Sequence, residues 1–198
     1  MELQRAVRRR RMVRSFERRA LAPEVLARVL DAGRRAPSAG FSQAVDLLVL
    51  EGPAQTSHYW DQALADPDTR AGFGWQGLLV APVLVVVLTS PATYGARYAE
   101  PDKAAAGVAR PDAWSVPWWW VDGGMAAMLL LLAAVDEGLG ASLFATEHAP
   151  AVLAAFGVPD DRLAVATIAL GHPAPDRPGR SSSRPRRPLD DVVHRGHW

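Results

Sequence analysis

Arginine is the side chain through which this sequence most plainly offers chemistry. Arg8, Arg9, Arg10 and Arg11 run together near the start with Arg14 close behind, and Arg184, Arg186 and Arg187 gather towards the other end. A guanidinium presents a planar fork of donors that fits phosphate in a bidentate way and stays charged at any physiological pH. The formal net charge of +1 hides an asymmetry: residues 1–19 carry net +6, residues 20–176 net −9 and residues 177–198 net +4. Two basic ends on an acidic body can be solvated tails, nucleic-acid arms, or two halves of one anion site joined by folding. Met12, Val13 and Phe16, set among the first arginines, argue for a segment anchored on the body. Against nucleic acid, no stacking set of aromatics interleaves the basic runs, and the body between them is acidic.

Side chains that would carry catalysis themselves are scarce. No cysteine is present, which excludes disulfides, thiolate metal sites and cysteine nucleophiles. His58, His148, His172, His194 and His197 lack metal-ligand spacing, so no metal centre is expected. GxSxG, HExxH and P-loop signatures are all missing. Chemistry is therefore expected from a bound cofactor, with the protein supplying binding and orientation. Residues 36–43, APSAGFSQ, form a small-residue loop that lets a ligand approach the backbone, with Ser38, Ser42 and Gln43 able to hydrogen-bond; as a plain connecting turn it would need no function.

These groups must be positioned by a core, and residues 118–144 (WWWVDGGMAAMLLLLAAVDEGLGASLF) are the longest apolar stretch available. From Met125 to Val135 every residue is Ala, Met, Leu or Val, which predicts a helix buried on all faces. Asp122, Asp136 and Glu137 bracket a run too short to span a bilayer, so no membrane association is expected. Asp122 is placed as an N-cap or first-turn carboxylate, and Gly138 and Gly140 close the helix. A domain of this size seldom wraps such a helix alone, so a second copy is expected to cover part of it.

Around that helix the pattern predicts a helix ending within residues 7–16, a second from Pro23 to near Arg35, and strands at 45–50, 83–88 and 163–170. A short helix is expected at 151–156 and a possible edge strand at 189–193. Residues 90–117 have no clean period and four prolines, and are read as a lid over a site. At least two of Trp118, Trp119 and Trp120 are expected to pack inside. With 49% hydrophobic residues the chain is read as one domain, residues 1–198, whose tail at 174–198 docks on a partner subunit. The opening residues have no apolar signal-peptide core, so a cytoplasmic location is expected.

In order along the chain, RRMVRSF at 10–16, APSAGFSQ at 36–43, EGLG at 137–140, GHP at 171–173 and RPRRPL at 184–189 resemble the successive motifs of the FMN-dependent nitroreductase family. The resemblance implies an α+β fold: a central mixed or antiparallel sheet flanked by helices, in an intertwined homodimer with a long buried central helix and two FMN sites between subunits. It implies that Arg10, Arg184 and Arg186 bracket the FMN phosphate, that Arg14 approaches the N1/O2 edge of the isoalloxazine, and that Arg11 and Met12 line the ribityl and pyrimidine side. Pro37, Ser38, Ala39 and Phe41 would reach the ring from the other subunit, and Leu143, Phe144, Ala145 and Thr146 would pass flavin N5. Met12 stands where the family usually has Ser, and Phe41 where it usually has Asn.

The implied activity is ping-pong transfer of hydride from NAD(P)H through FMN to a small aromatic acceptor such as a nitro compound or quinone, with no catalytic side chain. Phe41, Tyr94, Tyr98, Lys103 and Trp118 would shape the substrate pocket. Dehalogenase chemistry and flavin fragmentation of the dimethylbenzimidazole-synthase type are alternatives on the same fold.

Overall fold

The unbroken β-branched and leucine run of residues 83–88 forms the centre of the molecule, with every residue of its strand buried. The computed structural model of the chain describes residues 2–179 and 181–198; Met1 and Arg180 lie outside the described residues. Four strands, β1 (Val45–Glu51), β2 (Val83–Thr89), β3 (Gly140–Phe144) and β4 (Leu163–Gly171), form one antiparallel sheet in the order β1-β2-β4-β3. Successive side chains of a strand point to opposite faces, and β2 supplies both cores. Val83, Val85 and Val87 pack towards α2 (Pro23–Arg34) and α6 (Trp118–Asp136), with Leu26, Val29 and Leu130 in the same cluster. Leu84, Val86 and Leu88 pack with Tyr59 and Trp60 of α3 (Gly52–Ala63) and Val152 of α7 (Ala149–Ala155). The result is a three-layer α+β arrangement, wholly antiparallel among the described strands.

Pro23 occupies the first turn of α2, where its missing N–H costs nothing. The helix lies close against α6: a Cβ at Gly33 would stand 2.7 Å from Leu130 Cγ. α6 contacts all four strands as well as α1 (Leu3–Arg9) and α2. By length and composition it would also reach across a bilayer, with mean hydropathy 1.5 over its best window. Its inner stripe, including Ala126, Ala127, Leu130 and Ala134, is buried against the sheet.

Several local expectations change. α6 is buried on one face only: Trp118, Trp120, Val121 and Met128 are each about 40% exposed, and of the three tryptophans only Trp119 is buried. The first helix ends at Arg9, because residues 10–17 are drawn out as an extended strip along the sheet. Residues 140–144, expected only as the exit from the helix, form an edge strand. Residues 189–191 make a 3₁₀ turn instead of a strand. The stretch 90–117 folds into α5 (Pro91–Tyr98) and two 3₁₀ turns around Trp114, whose ring lies 4.7 Å from Tyr98 and 5.9 Å from Tyr94. Residues 67–72 add α4 (Pro67–Gly72), capped by Asp66.

Candidate functional site

Residues 10–17 are held straight because their backbone groups find partners outside any helix. Val13 N–H donates to Ala141 O at 2.9 Å, Phe16 N–H to Gly77 O at 3.2 Å, and Glu17 N–H to His172 O at 2.9 Å. Val13 and Phe16 are buried, which leaves the arginines between and before them to face outward. Met12 lies beside β3, where its sulfur accepts a weak hydrogen bond from Leu143 N–H at 3.4 Å. The tail returns along this strip: Ala174 N–H donates to Ser15 O at 3.0 Å, and Arg14 N–H to Asp176 Oδ2 at 2.8 Å.

Strip and tail together border a cavity of about 1330 Å³ lined, among the described residues, by Arg10, Arg11, Met12 and Arg14 on one side and by residues 174–179, Ser181, Ser182, Arg184 and Arg186 on the other. Gly74 and Trp75 complete the wall. The guanidinium carbons of Arg14 and Arg177 lie 5.0 and 4.3 Å from the Trp75 ring centroid, within cation–π range. Trp75, Asp176 and Arg177 were not singled out from the sequence. Trp75 sits in a stretch without periodicity and Arg177 in a tail of low complexity, so no local signal marks either.

The electrostatics of this cavity differ from those of the body. Each of the seven arginines between residues 20 and 176 has a carboxylate partner, for example Arg28 with Glu137 at 2.7 Å and Arg97 with Asp102 at 2.7 Å. Among the described residues, none of Arg10, Arg11, Arg14, Arg177, Arg184 and Arg186 is ion-paired, and Asp176 is the one carboxylate on the wall. Like charges gathered without counter-ions repel one another, and a bound anion relieves that repulsion. No group of His, Asp and Glu among the described residues could hold a metal ion.

The remaining site candidates stand elsewhere in the chain. Leu143, Phe144, Ala145 and Thr146 form the end of β3 and its exit, outside the cavity wall. Phe144 stacks on Trp60 at 5.6 Å, and Thr146 bonds Thr167 at 2.9 Å, which in turn bonds the buried Tyr59 hydroxyl at 2.9 Å. Burial pushes the Tyr59 phenol up to about 12.

Pro37, Ser38, Ala39 and Phe41 likewise do not border the cavity within this chain. Their loop is pinned from outside. Ala39 N–H donates to Asp122 Oδ2 at 2.7 Å and Arg97 Nε–H to Gly40 O at 2.9 Å, while within the loop Gln43 N–H donates to Ser38 Oγ at 3.0 Å. Gly40 and Phe41 both adopt the left-handed conformation, at φ 63° and 56°. That conformation is natural for glycine and strained for phenylalanine. Phe41 is thereby presented outward, 71% exposed.

Asp122 does not cap α6. The helix begins at Trp118, and Asp122, one turn inside it, is 1% exposed and accepts from Ala39 N–H and from the Tyr94 hydroxyl. Tyr94, expected to face substrate, therefore faces inward and is fully buried; burial and the Asp122 carboxylate raise its pKa far above the ordinary phenol range. Tyr98 packs on Trp114 and over Gly40, Lys103 lies 6.0 Å from the Tyr98 ring, and Trp118 stands open at the start of α6.

With this geometry in hand, the fold is that of proteins described as nitroreductases. A nitroreductase family protein of Clostridium difficile 630 is 17% identical with TM-score 0.74, all of both chains being covered. One from Clostridium novyi NT is 24% identical with TM-score 0.68 over 88% of this chain and 86% of the other. A nitroreductase-like protein of Exiguobacterium sibiricum 255-15, solved in complex with FMN, is 18% identical with TM-score 0.73 over 98% of this chain and 97% of that one. At these identities the likeness is one of fold. No curated protein matches the sequence. The family model described as Nitroreductase family matches residues 7–172, and the chain belongs to that family.

Proposed function

We propose that this protein is an FMN-dependent oxidoreductase that takes hydride from NAD(P)H and delivers it to a small oxidised aromatic acceptor of the nitro or quinone kind, by a ping-pong sequence. The observation that carries the reading is the meeting of Arg10, Arg11 and Arg14 from one end of the chain with Arg184 and Arg186 from the other on one cavity, none of them ion-paired among the described residues. That donor set fits a phosphate dianion and an electron-rich ring edge. When bound, FMN supplies the redox chemistry by accepting hydride at N5 and passing it on. Arg10, Arg184 and Arg186 hold the phosphate. Arg14, fixed through its backbone to Asp176 and through its guanidinium to Trp75, presents positive charge to the N1/O2 edge, where negative charge gathers on reduction. Arg11 and Met12 line the ribityl side.

The rest of the site is completed by a second copy. Residues 1–198 act as one domain of a cytoplasmic homodimer, packed through the open face of α6, with residues 174–198 docked on the partner. Pro37, Ser38, Ala39 and the outward Phe41 reach the partner's flavin, and Leu143, Phe144, Ala145 and Thr146 border N5. Phe41, Tyr98, Lys103 and Trp118 shape the acceptor pocket, while Tyr94 acts from behind by holding Asp122.

The purified protein should take up FMN and show oxidised-flavin absorbance that bleaches on anaerobic addition of NAD(P)H. Arg14→Ala should weaken FMN binding and lower the potential of the flavin that remains. An unchanged potential in the flavin-loaded variant would remove Arg14 from the ring edge.

A further inference from the structure

The cavity holds more positive charge than one flavin phosphate balances. Among the described residues six guanidiniums and one carboxylate line it, a net of five positive charges, whereas an esterified phosphate brings about −1.5 to −2. With Arg10, Arg184 and Arg186 on that phosphate, Arg14 at the ring and Arg11 along the ribityl side, Arg177 still faces the cavity without an anion. Its volume, about 1330 Å³, also exceeds the roughly 300–1,000 Å³ of most small-molecule sites.

Arg177 is a built feature. Its guanidinium donates to the Gly74 carbonyl and stacks 4.3 Å from the Trp75 centroid. Stacking leaves the in-plane edge of a guanidinium free to bind a phosphate oxygen pair. Gly74 makes room for it: a Cβ there would lie 3.2 Å from Arg177 Nη2, while Gly179 leaves room in the same way for Arg14, whose Nη1 would be 3.3 Å from a Cβ at that position.

We propose that Arg177, seated on Trp75, binds the 2′-phosphate of NADPH, so that the reductant of this enzyme is the phosphorylated dinucleotide. The inference rests on the flavin reading above. The donor must enter this cavity, and its two natural forms differ by one dianionic phosphate ester, which is the charge the wall still lacks. The bridging pyrophosphate is common to both forms and gives no discrimination.

The test is calorimetric titration of the full-length, FMN-loaded protein with NADP⁺ and NAD⁺. NADP⁺ should bind at least about tenfold more tightly, equivalent to about 1.4 kcal/mol, and the preference should shrink as salt rises from about 0.05 to about 0.3 M. Arg177→Ala should bring the ratio close to one with FMN content and NAD⁺ affinity unchanged, and Arg177→Lys should keep part of it. Equal binding of the two nucleotides by the unaltered protein overturns the proposal. So does an Arg177→Ala variant that keeps the preference, or one that loses FMN instead. If the protein takes up no FMN, the flavin reading fails by that observation, while the same titration on the flavin-free protein still decides whether Arg177 selects the 2′-phosphate.

Discussion

Replacing Tyr94 with phenylalanine removes a single oxygen from the interior and leaves the ring, so what is lost is one hydrogen bond to the Asp122 carboxylate. Tyr94 is fully buried and Asp122 is 1% exposed. A hydrogen bond to a charged group contributes about 1.5–3 kcal/mol. Asp122 keeps its bond from Ala39 N–H at 2.7 Å, so the carboxylate is not orphaned and the lower part of that range applies. A loss near 2 kcal/mol lowers Tm by about 4–8 °C in a chain of this size.

The informative experiment is a double-mutant cycle with Asp122→Asn, read by urea unfolding. Because the asparagine carbonyl is neutral, Tyr94→Phe should cost markedly less in that background, with a coupling of about 1–2 kcal/mol. Amide exchange at Ala39 should accelerate in Asp122→Asn and far less in Tyr94→Phe. The pH sign follows from the raised Tyr94 pKa, which burial and Asp122 cause. The folded chain holds the phenol proton more tightly than the unfolded one, so this stability is intact below about pH 10 and falls as pH rises beyond it. Tyr94→Phe should lessen the alkaline loss. Additive single effects, within about 0.5 kcal/mol, would refute the shared carboxylate.

Three further outcomes are expected. Phe41→Asn should raise stability by about 1 kcal/mol, because asparagine tolerates the left-handed conformation that Phe41 adopts at φ 56°; a lower unfolding midpoint would show that the exposed ring contributes packing instead. The Arg28 guanidinium holds the Glu137 carboxyl below its usual range, first through their hydrogen bond. A depressed folded pKa gives stability above the unfolded value, near 4.3, that disappears as pH falls below it. Unfolding midpoints of the unaltered protein and Arg28→Met should therefore converge towards pH 3, and a constant gap from pH 7 downward would exclude the ion pair as the cause. Met128→Glu places a charge on the open face of α6, where the side chain is 39% exposed and the single chain has room for it. Sedimentation should show a folded monomer with reduced FMN retention, and an unchanged oligomeric mass would move the interface elsewhere.

The parts of this protein that were legible in the sequence are those set by local pattern. The strands at 45–51, 83–89 and 163–171 announce themselves by runs of valine, leucine and isoleucine, and α2 by a proline at its start and an apolar stripe. The arginines were legible as candidates for an anion site, since guanidinium chemistry and its phosphate preference travel with the residue type. Five short motifs in order carried the family, which the match over residues 7–172 bears out.

Other features depend on partners far away in the chain. Residues 10–17 leave the helix because distant carbonyls at Gly77, Ala141 and His172 accept their N–H groups, and no local propensity encodes that. Asp122 reads as a cap from its position before an apolar run, yet its role is decided by Ala39 and Tyr94, 83 and 28 residues away. The charge excess of residues 1–19 and 177–198 was countable from composition. Only the tertiary structure showed that the body's arginines have carboxylate partners while six of those at the ends share a cavity, with Trp75 beneath Arg14 and Arg177. Composition determines how much charge a chain carries; which charges neutralise one another is a matter of distance, and distance belongs to the fold.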